Sequence, residues 1–187
     1  MQVDEIITER LVLKKLTPEI YNYLFTNLND EDIKQFLGTA TDEDFAKEKD
    51  NYSKGIVTYN RTFVNFVLTE KATGTAIGWC GFHTWYPKHS RAEIGYHMNH
   101  DNHKRKGYMS EALAAVLKYG FEVMQLHRVE ALIAEYNEPS LKLLQKNGFV
   151  YEGRLREHYN VDGTMEDSIM YSLLKNEYKY SIKKEAV

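Results

Sequence analysis

The segment between residues 91 and 122 constrains the fold of this chain more than any other part of the sequence. It predicts a strand, a basic loop with one glycine, Gly107, and a helix whose apolar residues recur at helical spacing. A further strand is predicted at residues 128–134, after the helix. Because a helical crossover returns the chain in its original direction, the two strands should be parallel. We therefore expect a buried helix that packs on a sheet and begins at a basic loop.

The residues at the predicted start of this helix are suited to binding a phosphate group. A helix N-terminus leaves backbone N–H groups unpaired and carries a partial positive charge. Three cations precede Gly107, which allows a ligand to approach the backbone closely. The loop matches neither the Walker pattern nor the dinucleotide-binding glycine pattern. The predicted phosphate loop consists of Lys104, Arg105, Lys106, Gly107, Tyr108, Met109 and Ser110.

The order of residues in this loop resembles the coenzyme A loop of the GNAT superfamily of N-acetyltransferases, whose pattern is Gln/Arg-x-x-Gly-x-Gly/Ala. The pattern falls on residues 104–109, with Lys at the first position and Met at the last. Other segments are similar to the Rim-type branch of this family, whose members acetylate the N-terminal amine of ribosomal proteins. These segments cover the chain up to about Tyr178 and read TERLVLKKLTPE, AEIGY, GYMSEAL, HRVEALIAEYN, NEPSLKLLQKNGF and EGRLREHYNVDGTMEDSIMYSLL.

The sequence is expected to form a single N-acetyltransferase domain over residues 1–187, with residues 175–187 as a C-terminal tail. The resemblance implies the GNAT fold, an α/β (α+β) architecture. In this fold, helices cover both faces of a mixed, mostly antiparallel, twisted sheet with a central splayed parallel pair. Alternation and turn signals predict about seven strands, at residues 8–16, 63–70, 75–85, 91–99, 128–134, 149–160 and 165–174. Helices are predicted from Thr17, twice within residues 29–60, from Gly107 and over residues 137–147.

The resemblance implies acetyl-CoA as the co-substrate and direct attack of a neutral amine on its thioester, with no metal and no covalent enzyme intermediate. It places the pyrophosphate at the loop from Lys104 to Ser110. The backbone of Met98 and Asn99, at the end of the strand before the loop, would lie near the acyl group. Asn137 would contact the pantetheine arm, although the same residue is also a favoured helix N-cap.

Acetyl transfer to an amine benefits from a base that receives the amine proton and from an acid that protonates the leaving thiolate. The resemblance assigns the base to Glu93, usually through water, since several family members use a glutamate on this strand. It assigns the acid to Ser140, because some Rim-type enzymes use serine there. The alternatives are structural: Glu93 could pair with Arg91, and Ser140 could hydrogen-bond locally. Competing residues are Glu111 and Glu152 for the base, and Tyr136 and Tyr151 for the acid.

Composition and charge argue against several other function classes. A net charge of −3 and a pI near 6.2 disfavour a general nucleic-acid binder despite the basic loop. The sequence predicts no membrane span and no export signal, so a cytoplasmic location is expected. Cys80, the single cysteine, is more typical of a core residue than of a nucleophile. The spacing of His97, His100 and His103 does not fit a zinc-ligand pattern.

The acceptor is expected to be an amine, with the N-terminus of a protein as the first choice. An α-amine has a reference pKa near 7.7–8.0, against about 10.4 for lysine, so it is neutral more often at pH 7 and needs only a weak base. Polyamines, aminoglycosides and other small amines are the alternative acceptors. A catalytically silent coenzyme A-binding module is the alternative from another class. His83 is either an acceptor-pocket residue or a structural histidine, and a homodimer remains open.

Overall fold

The computed structural model of the protein describes residues 3–39, 41–55 and 61–178. The strands are β1 (Glu5–Ile7), β2 (Leu11–Leu16), β3 (Thr62–Glu70), β4 (Ala76–Tyr86), β5 (Arg91–Met98), β6 (Arg128–Ile133), β7 (Val150–Val161) and β8 (Thr164–Leu174). The helices are α1 (Pro18–Asn27), α2 (Asp30–Leu37), α3 (Asp42–Ser53), α4 (Tyr108–Glu122) and α5 (Glu138–Lys146). These strands form one sheet with the order β1-β2-β3-β4-β5-β6-β8-β7.

The central pair of the sheet, β5 and β6, is parallel, whereas the other neighbouring strands are antiparallel. Its register couples Arg91 to Arg128 and Glu93 to Glu130, and it ends there although both strands continue. β5 stays paired with β4 to Met98, and β6 stays paired with β8 to Ile133. The two strands therefore separate after Glu93. The predicted mixed sheet with a splayed parallel pair is confirmed.

The sheet has one strand more than the sequence predicted, because the short strand β1 precedes the predicted first strand, which the structure shortens to β2. Residues 8–10 form a turn between β1 and β2, closed by a hydrogen bond from the Thr8 backbone N–H to the Leu11 carbonyl. Glu111, in the first turn of α4, holds this turn. Its carboxylate accepts hydrogen bonds from the Thr8 hydroxyl at 2.6 Å, the Arg10 backbone N–H at 2.7 Å and the Arg10 guanidinium at 2.7 Å. Three polar contacts thus tie the start of the chain to α4.

Two hydrophobic cores lie on opposite faces of the sheet, because side chains alternate along each strand. On β3, Phe66 and Leu68 belong to the larger core, and Val67 between them belongs to the smaller one. The larger core includes residues of α4 and α5, among them Leu117 and Leu144. The smaller core joins the apolar sides of α1, α2 and α3, supplied by Leu24, Ile33 and Phe45. Helices therefore cover both faces, as predicted.

Polar caps explain where most of the helices begin. The side chains of Thr17, Asn29, Thr41 and Asn137 each accept a hydrogen bond from a backbone N–H in the first turn of α1, α2, α3 and α5, respectively. α4 is different, since its N-cap is Gly107, which has a φ of +81° and no side chain to cap the helix. The first N–H groups of α4 are consequently left without a capping side chain.

Part of the predicted chain lies outside the described residues. The segment between α3 and β3 includes residues 56–60, which are not described. The predicted tail includes residues 179–187, which are not described either. Residues 175–178 form one helical turn, and Tyr178 stacks on Phe121 of α4 with ring centroids 4.6 Å apart. Within the described residues, no helix is long and apolar enough to cross a membrane.

We expect Glu111→Ala to lower the free energy of unfolding by about 1–3 kcal/mol, because three hydrogen-bond donors lose their acceptor. The guanidinium of Arg10 is 41% exposed, so solvent screening keeps its share small. Urea unfolding followed by circular dichroism measures the change. Glu122→Ala, at the exposed end of the same helix, is the control and should change stability by less than about 0.5 kcal/mol. Equal effects of the two variants would contradict the structural role of Glu111.

The same carboxylate should make stability depend on pH in acid. Burial alone would raise the pKa of Glu111, but the hydrogen bonds from Thr8 and Arg10 outweigh it and leave the pKa below its ordinary value of 4.5. A depressed carboxyl pKa stabilises the folded state above the unfolded pKa, and this stabilisation is lost as the pH falls through the folded value. Glu111→Gln should therefore flatten the acid limb of a stability profile measured between pH 7 and pH 3.

Candidate active site

A cleft of about 250 Å³ opens where β5 and β6 separate. Its walls come from β4, β5, β6, the start of α5 and the edge strand β7. Because the backbone of two parallel strands is no longer paired there, polar main-chain groups and side chains can both face the same space. The lining residues are Trp79, His83, Glu93, Ile94, Gly95, Tyr96, Ala131, Leu132, Ile133, Asn137, Ser140 and Tyr159. Three residues predicted as catalytic or pantetheine-binding, Glu93, Asn137 and Ser140, are thus brought together.

Glu93 lies beside a histidine of the neighbouring strand β4, His83. Its carboxylate Oε1 lies 3.4 Å from the Nε2 atom of His83, and its side chain is 18% exposed. The other ring nitrogen of His83, Nδ1, lies 3.1 Å from the hydroxyl of Thr84. Both ring nitrogens of His83 therefore have polar neighbours. The predicted alternative partner of Glu93, Arg91, instead donates to Glu130 at 2.7 Å.

Gly95 makes this arrangement possible. A Cβ atom at position 95 would overlap the His83 ring and would lie 2.9 Å from the Trp79 ring. The Trp79 and His83 rings meet edge to face, with centroids 6.4 Å apart. A side chain at residue 95 would therefore displace the histidine from the cleft. The glycine stands in the AEIGY segment that carried the family resemblance, but its steric role depends on the neighbouring strand.

Tyr96 is a cleft residue that the sequence analysis did not single out. Strand alternation puts it on the face of β5 opposite to Glu93, yet both residues line the cleft because β6 is not paired with β5 at this point. The Tyr96 hydroxyl is buried and has no hydrogen-bond partner among the described residues. Burial raises its pKa to about 12, with nearby Ser140 acting in the opposite direction. A buried hydroxyl without a partner is costly, so this atom is a natural contact for a bound polar group.

Asn137 and Ser140 are connected through the cap of α5. The Asn137 side-chain oxygen accepts a hydrogen bond from the Ser140 backbone N–H at 3.2 Å. This bond leaves the Asn137 amide NH₂ and the Ser140 hydroxyl outside the cap. The local structural interpretation of both residues therefore holds, and it does not compete with a role in the cleft, because different atoms serve each purpose.

The loop before α4 presents backbone groups rather than side chains. Arg105 and Gly107 both have positive φ values, +60° and +81°, a local arrangement that turns successive N–H groups toward one side. The Tyr108 hydroxyl donates to Glu70, and the Ser110 hydroxyl accepts from the Lys146 ammonium at 2.9 Å. The side chains at the start of α4 are thus engaged elsewhere, while the uncapped N–H groups of the first turn remain at the loop.

Sequence reasoning missed the part that Arg10 takes in this loop. Its guanidinium donates to the Lys106 carbonyl at 2.8 Å and lies over the Tyr108 ring, 4.7 Å from the centroid. A Cβ at Gly107 would lie 3.3 Å from the same guanidinium. Because Arg10 is almost a hundred positions away in the sequence, no local pattern could have indicated the contact. Lys104 is held by Asp101, with 2.6 Å between ammonium and carboxylate.

The predicted acyl-binding residues Met98 and Asn99 lie beyond the cleft lining. The Met98 side chain is 8% exposed and belongs to the larger core. The Asn99 backbone N–H donates to the Ile77 carbonyl at 3.0 Å, and its side chain donates to the Gly38 carbonyl at 2.9 Å. The strands separate after Glu93, five residues earlier on β5, so Ile94, Gly95 and Tyr96 line the opening in their place. Contact of Met98 and Asn99 with the cofactor stays a prediction.

The competing acid and base candidates have other partners and lie outside the cleft. Glu152 is bound by Arg128 and by the Ser172 hydroxyl, and these contacts lower its pKa to about 2. Glu111 holds the turn after β1. Tyr136 is 70% exposed and donates to Glu166 at 3.0 Å, and Tyr151 is 57% exposed against the edge of Tyr171. None of the four lines the cleft.

Within the part of the chain that the structure describes, no cluster of three or more His, Cys, Asp or Glu residues is arranged as a metal site. The rings of His100 and His103 lie 6.2 Å apart, and His97 projects from β5. Cys80 is fully buried in the larger core, and burial raises the pKa of its thiol. It is therefore a core residue, not a cleft nucleophile.

Comparison with known proteins agrees with this geometry. The acetyltransferase (GNAT) domain family matches residues 10–150 of the chain. The N-acetyltransferase p20 of Bacillus licheniformis is 33% identical over 177 residues, which cover 94% of this chain and 99% of that protein. The spermidine N(1)-acetyltransferase of Escherichia coli is 23% identical over 89% of this chain and 87% of its own length.

A solved structure from Vibrio cholerae, described as a candidate ribosomal-protein-serine acetyltransferase, has a TM-score of 0.63 to this fold. It is 25% identical, and the match covers 91% of this chain and 97% of that one. The family match, the splayed parallel pair and the uncapped helix after a basic loop all lead to the same conclusion. This chain belongs to the GNAT acetyltransferase family and is an N-acetyltransferase, an enzyme that transfers acetyl groups to amines.

Proposed function

We propose that the enzyme transfers the acetyl group of acetyl-CoA to the N-terminal α-amine of a protein, with ribosomal proteins as the acceptor class. The observation that carries the proposal is the distribution of polar groups in the cleft. Glu93 lies on one face of β5, while Tyr96 lies on the other face, next to Ser140. Amine acetylation benefits from a proton acceptor and a hydroxyl donor that line the same cleft.

The residues present fit acetyl-CoA at two places. The loop from Lys104 to Ser110 supplies uncapped N–H groups, cations and a helix N-terminus for the pyrophosphate. The Tyr96 hydroxyl, which has no partner among the described residues, and the Asn137 amide nitrogen, which the helix cap does not use, are donors for the pantetheine arm and the thioester. Acetyl-CoA supplies the activated acetyl group when bound, and the protein's part is to orient it and to manage two protons.

The proton transfers follow from the positions of three residues. Glu93 would receive the proton that leaves the amine, directly or through water. Ser140 or Tyr96 would donate to the sulfur as it leaves. Because burial raises the Tyr96 pKa to about 12, this phenol stays protonated at neutral pH and serves as a hydrogen-bond donor. Hydrogen-bond donors held in place where charge develops can contribute a large share of catalysis.

The acceptor assignment has two supports. An α-amine is neutral roughly 300-fold more often than a lysine side chain at pH 7, given reference pKa values near 7.9 and 10.4. The Vibrio cholerae neighbour is named for a ribosomal protein. The Escherichia coli relative, in contrast, is named for spermidine, which is the second candidate acceptor.

The charges on α2 and α3 are only partly paired within these helices. Lys34 pairs with Asp42, Lys47 with Glu43, Lys49 with Asp30 and Lys54 with Asp50. The two helices carry eight acidic side chains against three lysines, so their surface keeps a net negative charge. Such a surface attracts basic proteins and polyamines alike, so it does not choose between the two candidate acceptors.

The first prediction concerns the coenzyme loop. Gly107→Val should raise the dissociation constant of coenzyme A at least tenfold, because a β-branched residue strains the positive φ and obstructs the loop. Isothermal titration calorimetry measures the change. Gly163→Val is the matched control, since Gly163 has a φ of +89° at a hairpin tip with open space around it. Unchanged affinity in the Gly107 variant, with the control folded, would remove the loop from the cofactor site.

The second prediction separates the two hydroxyls. Tyr96→Phe should leave the fold as stable as before or slightly more stable, since the lost hydroxyl has no partner, while turnover falls about tenfold or more. Ser140→Ala should lower turnover more than coenzyme binding if the serine is the donor. Steady-state kinetics and thermal melting give the two readouts. Turnover within about threefold of wild type for both variants would assign protonation of the sulfur to water.

The third prediction tests the acceptor. Peptides beginning with Ala or Ser should be acetylated at the α-amine, and the same peptides with a blocked N-terminus and an internal lysine should not. Mass spectrometry of the products, with spermidine and an aminoglycoside assayed in parallel, gives the result. Turnover of spermidine without any peptide product would establish the small-amine acceptor instead. Coenzyme A binding without turnover of any amine would point to a silent binding module.

A further inference from the structure

The strongest unassigned feature of the cleft is the contact between His83 and Glu93. We propose that His83 Nε2 is the immediate acceptor of the amine proton and that Glu93 stabilises the resulting imidazolium. The proposal rests on the proposed amine acetylation, but it assigns the base to a different residue from the one expected. The two side chains lie 3.4 Å apart, Nε2 to Oε1, and both line the cleft.

One of the two neutral tautomers of His83 fits this role. If Nδ1 carries the hydrogen, it donates to the Thr84 hydroxyl at 3.1 Å, and the Nε2 lone pair is free to accept a proton. The ring is held in place by the edge of Trp79 and by the absence of a side chain at Gly95. A histidine oriented by a hydroxyl on one nitrogen and a carboxylate beside the other is positioned to gain and lose a proton.

The charges around the pair agree with a single transferable proton. Among the described residues, the cleft lining contains neither lysine nor arginine, so the carboxylate of Glu93 is the group that would neutralise an imidazolium there. Tyr159 of β7 faces Glu93, and burial together with the Glu93 charge raises the pKa of its phenol. Glu130, beside Glu93 on β6, is already bound by Arg91 and Arg128. The remaining titratable cleft residue is Tyr96, which burial keeps protonated.

The chemical step balances without another reactant. The amine nitrogen forms a bond to the acetyl carbon, and the carbon–sulfur bond breaks with its electron pair remaining on sulfur. The proton from the amine nitrogen passes to Nε2 of His83, whose positive charge is matched by Glu93. The sulfur gains a proton from Ser140, Tyr96 or water. Release of the histidine proton to solvent restores the free enzyme, because the His83 side chain is 35% exposed.

The first test measures the tautomer without any acceptor. The imidazole ¹⁵N resonances of the full-length protein are recorded by NMR at the pH of turnover, and His83→Gln assigns the His83 signals. The proposal requires the hydrogen of neutral His83 on Nδ1 and an unprotonated Nε2. A hydrogen on Nε2 would overturn it.

The second test measures the role in turnover, with whichever amine the wild-type enzyme acetylates. His83→Gln should lower kcat about 100-fold and remove the acid limb of the kcat/KM profile, and Glu93→Gln should lower kcat as well. The double variant should lose no more activity than His83→Gln alone, since the two residues act as one unit. His89→Gln, on the exposed turn at Pro87–His89, is the matched control and should behave as wild type.

The outcomes separate this proposal from the proposed function. If Glu93→Gln abolished activity while His83→Gln kept activity within about threefold of wild type, the role of His83 would be overturned and Glu93 would be the base. Coenzyme A affinity and thermal melting are measured for each variant, so that a loss of folding is distinguished from a loss of proton transfer. A change of acceptor from peptide to small amine would contradict the acceptor assignment, while both tests of His83 would stand.

Discussion

The parallel hydrogen bonding between β5 and β6 stops at Glu93, and the rest of the site depends on that stop. Below it, the strands are fastened by side-chain charges as well as by backbone bonds. Glu130 accepts from Arg91 at 2.7 Å and from Arg128 at 2.8 Å, and Arg128 also reaches Glu152. Above it, each strand keeps only its outer neighbour. The paired end of the two strands thus fixes where the cleft begins.

Separation of the strands also explains why residues from opposite faces of one strand serve the same cleft. In a continuous sheet, Glu93 and Tyr96 would face different layers, because side chains alternate. Because β6 is no longer paired with β5 beyond Glu93, the side chains of both residues reach the cleft along the edge of β5. A general acid–base arrangement can therefore be assembled on a short stretch of one strand, with α5 adding Asn137 and Ser140 at its cap.

Much of this could be predicted from the sequence, since the informative patterns are local. The strand–loop–helix run around Gly107, the Asn137 cap and the last two strands each depend on a few adjacent residues, and the structure has these elements where they were expected. The additional strand β1, and the turn that joins it to β2, were not expected. Their cause lies in α4, where Glu111 organises the turn, and no signal near residue 8 refers to that helix.

The parts of the site that escaped prediction are the contacts that cross between elements. Three features of the site arise only when the sheet and helices pack together. They are the contact of Arg10 with the Lys106 carbonyl, the close approach of the His83 ring to Gly95, and the buried Tyr96 hydroxyl. The same limit applies to the position of the opening, which the sequence did not indicate. Strand alternation shows which face a residue takes, but not where two neighbouring strands part.

The bonds between Arg10, Lys106 and Glu111 join positions about a hundred residues apart in the chain, and this distance bears on how the enzyme folds. Contacts between distant positions require closure of a long loop, and such contacts form slowly. The phosphate loop is therefore unlike a local motif that a short peptide could adopt. The loop reaches its final shape only after the turn between β1 and β2 has docked on α4. A ribosome must have released the whole of β3, β4 and β5 before the loop can acquire that support.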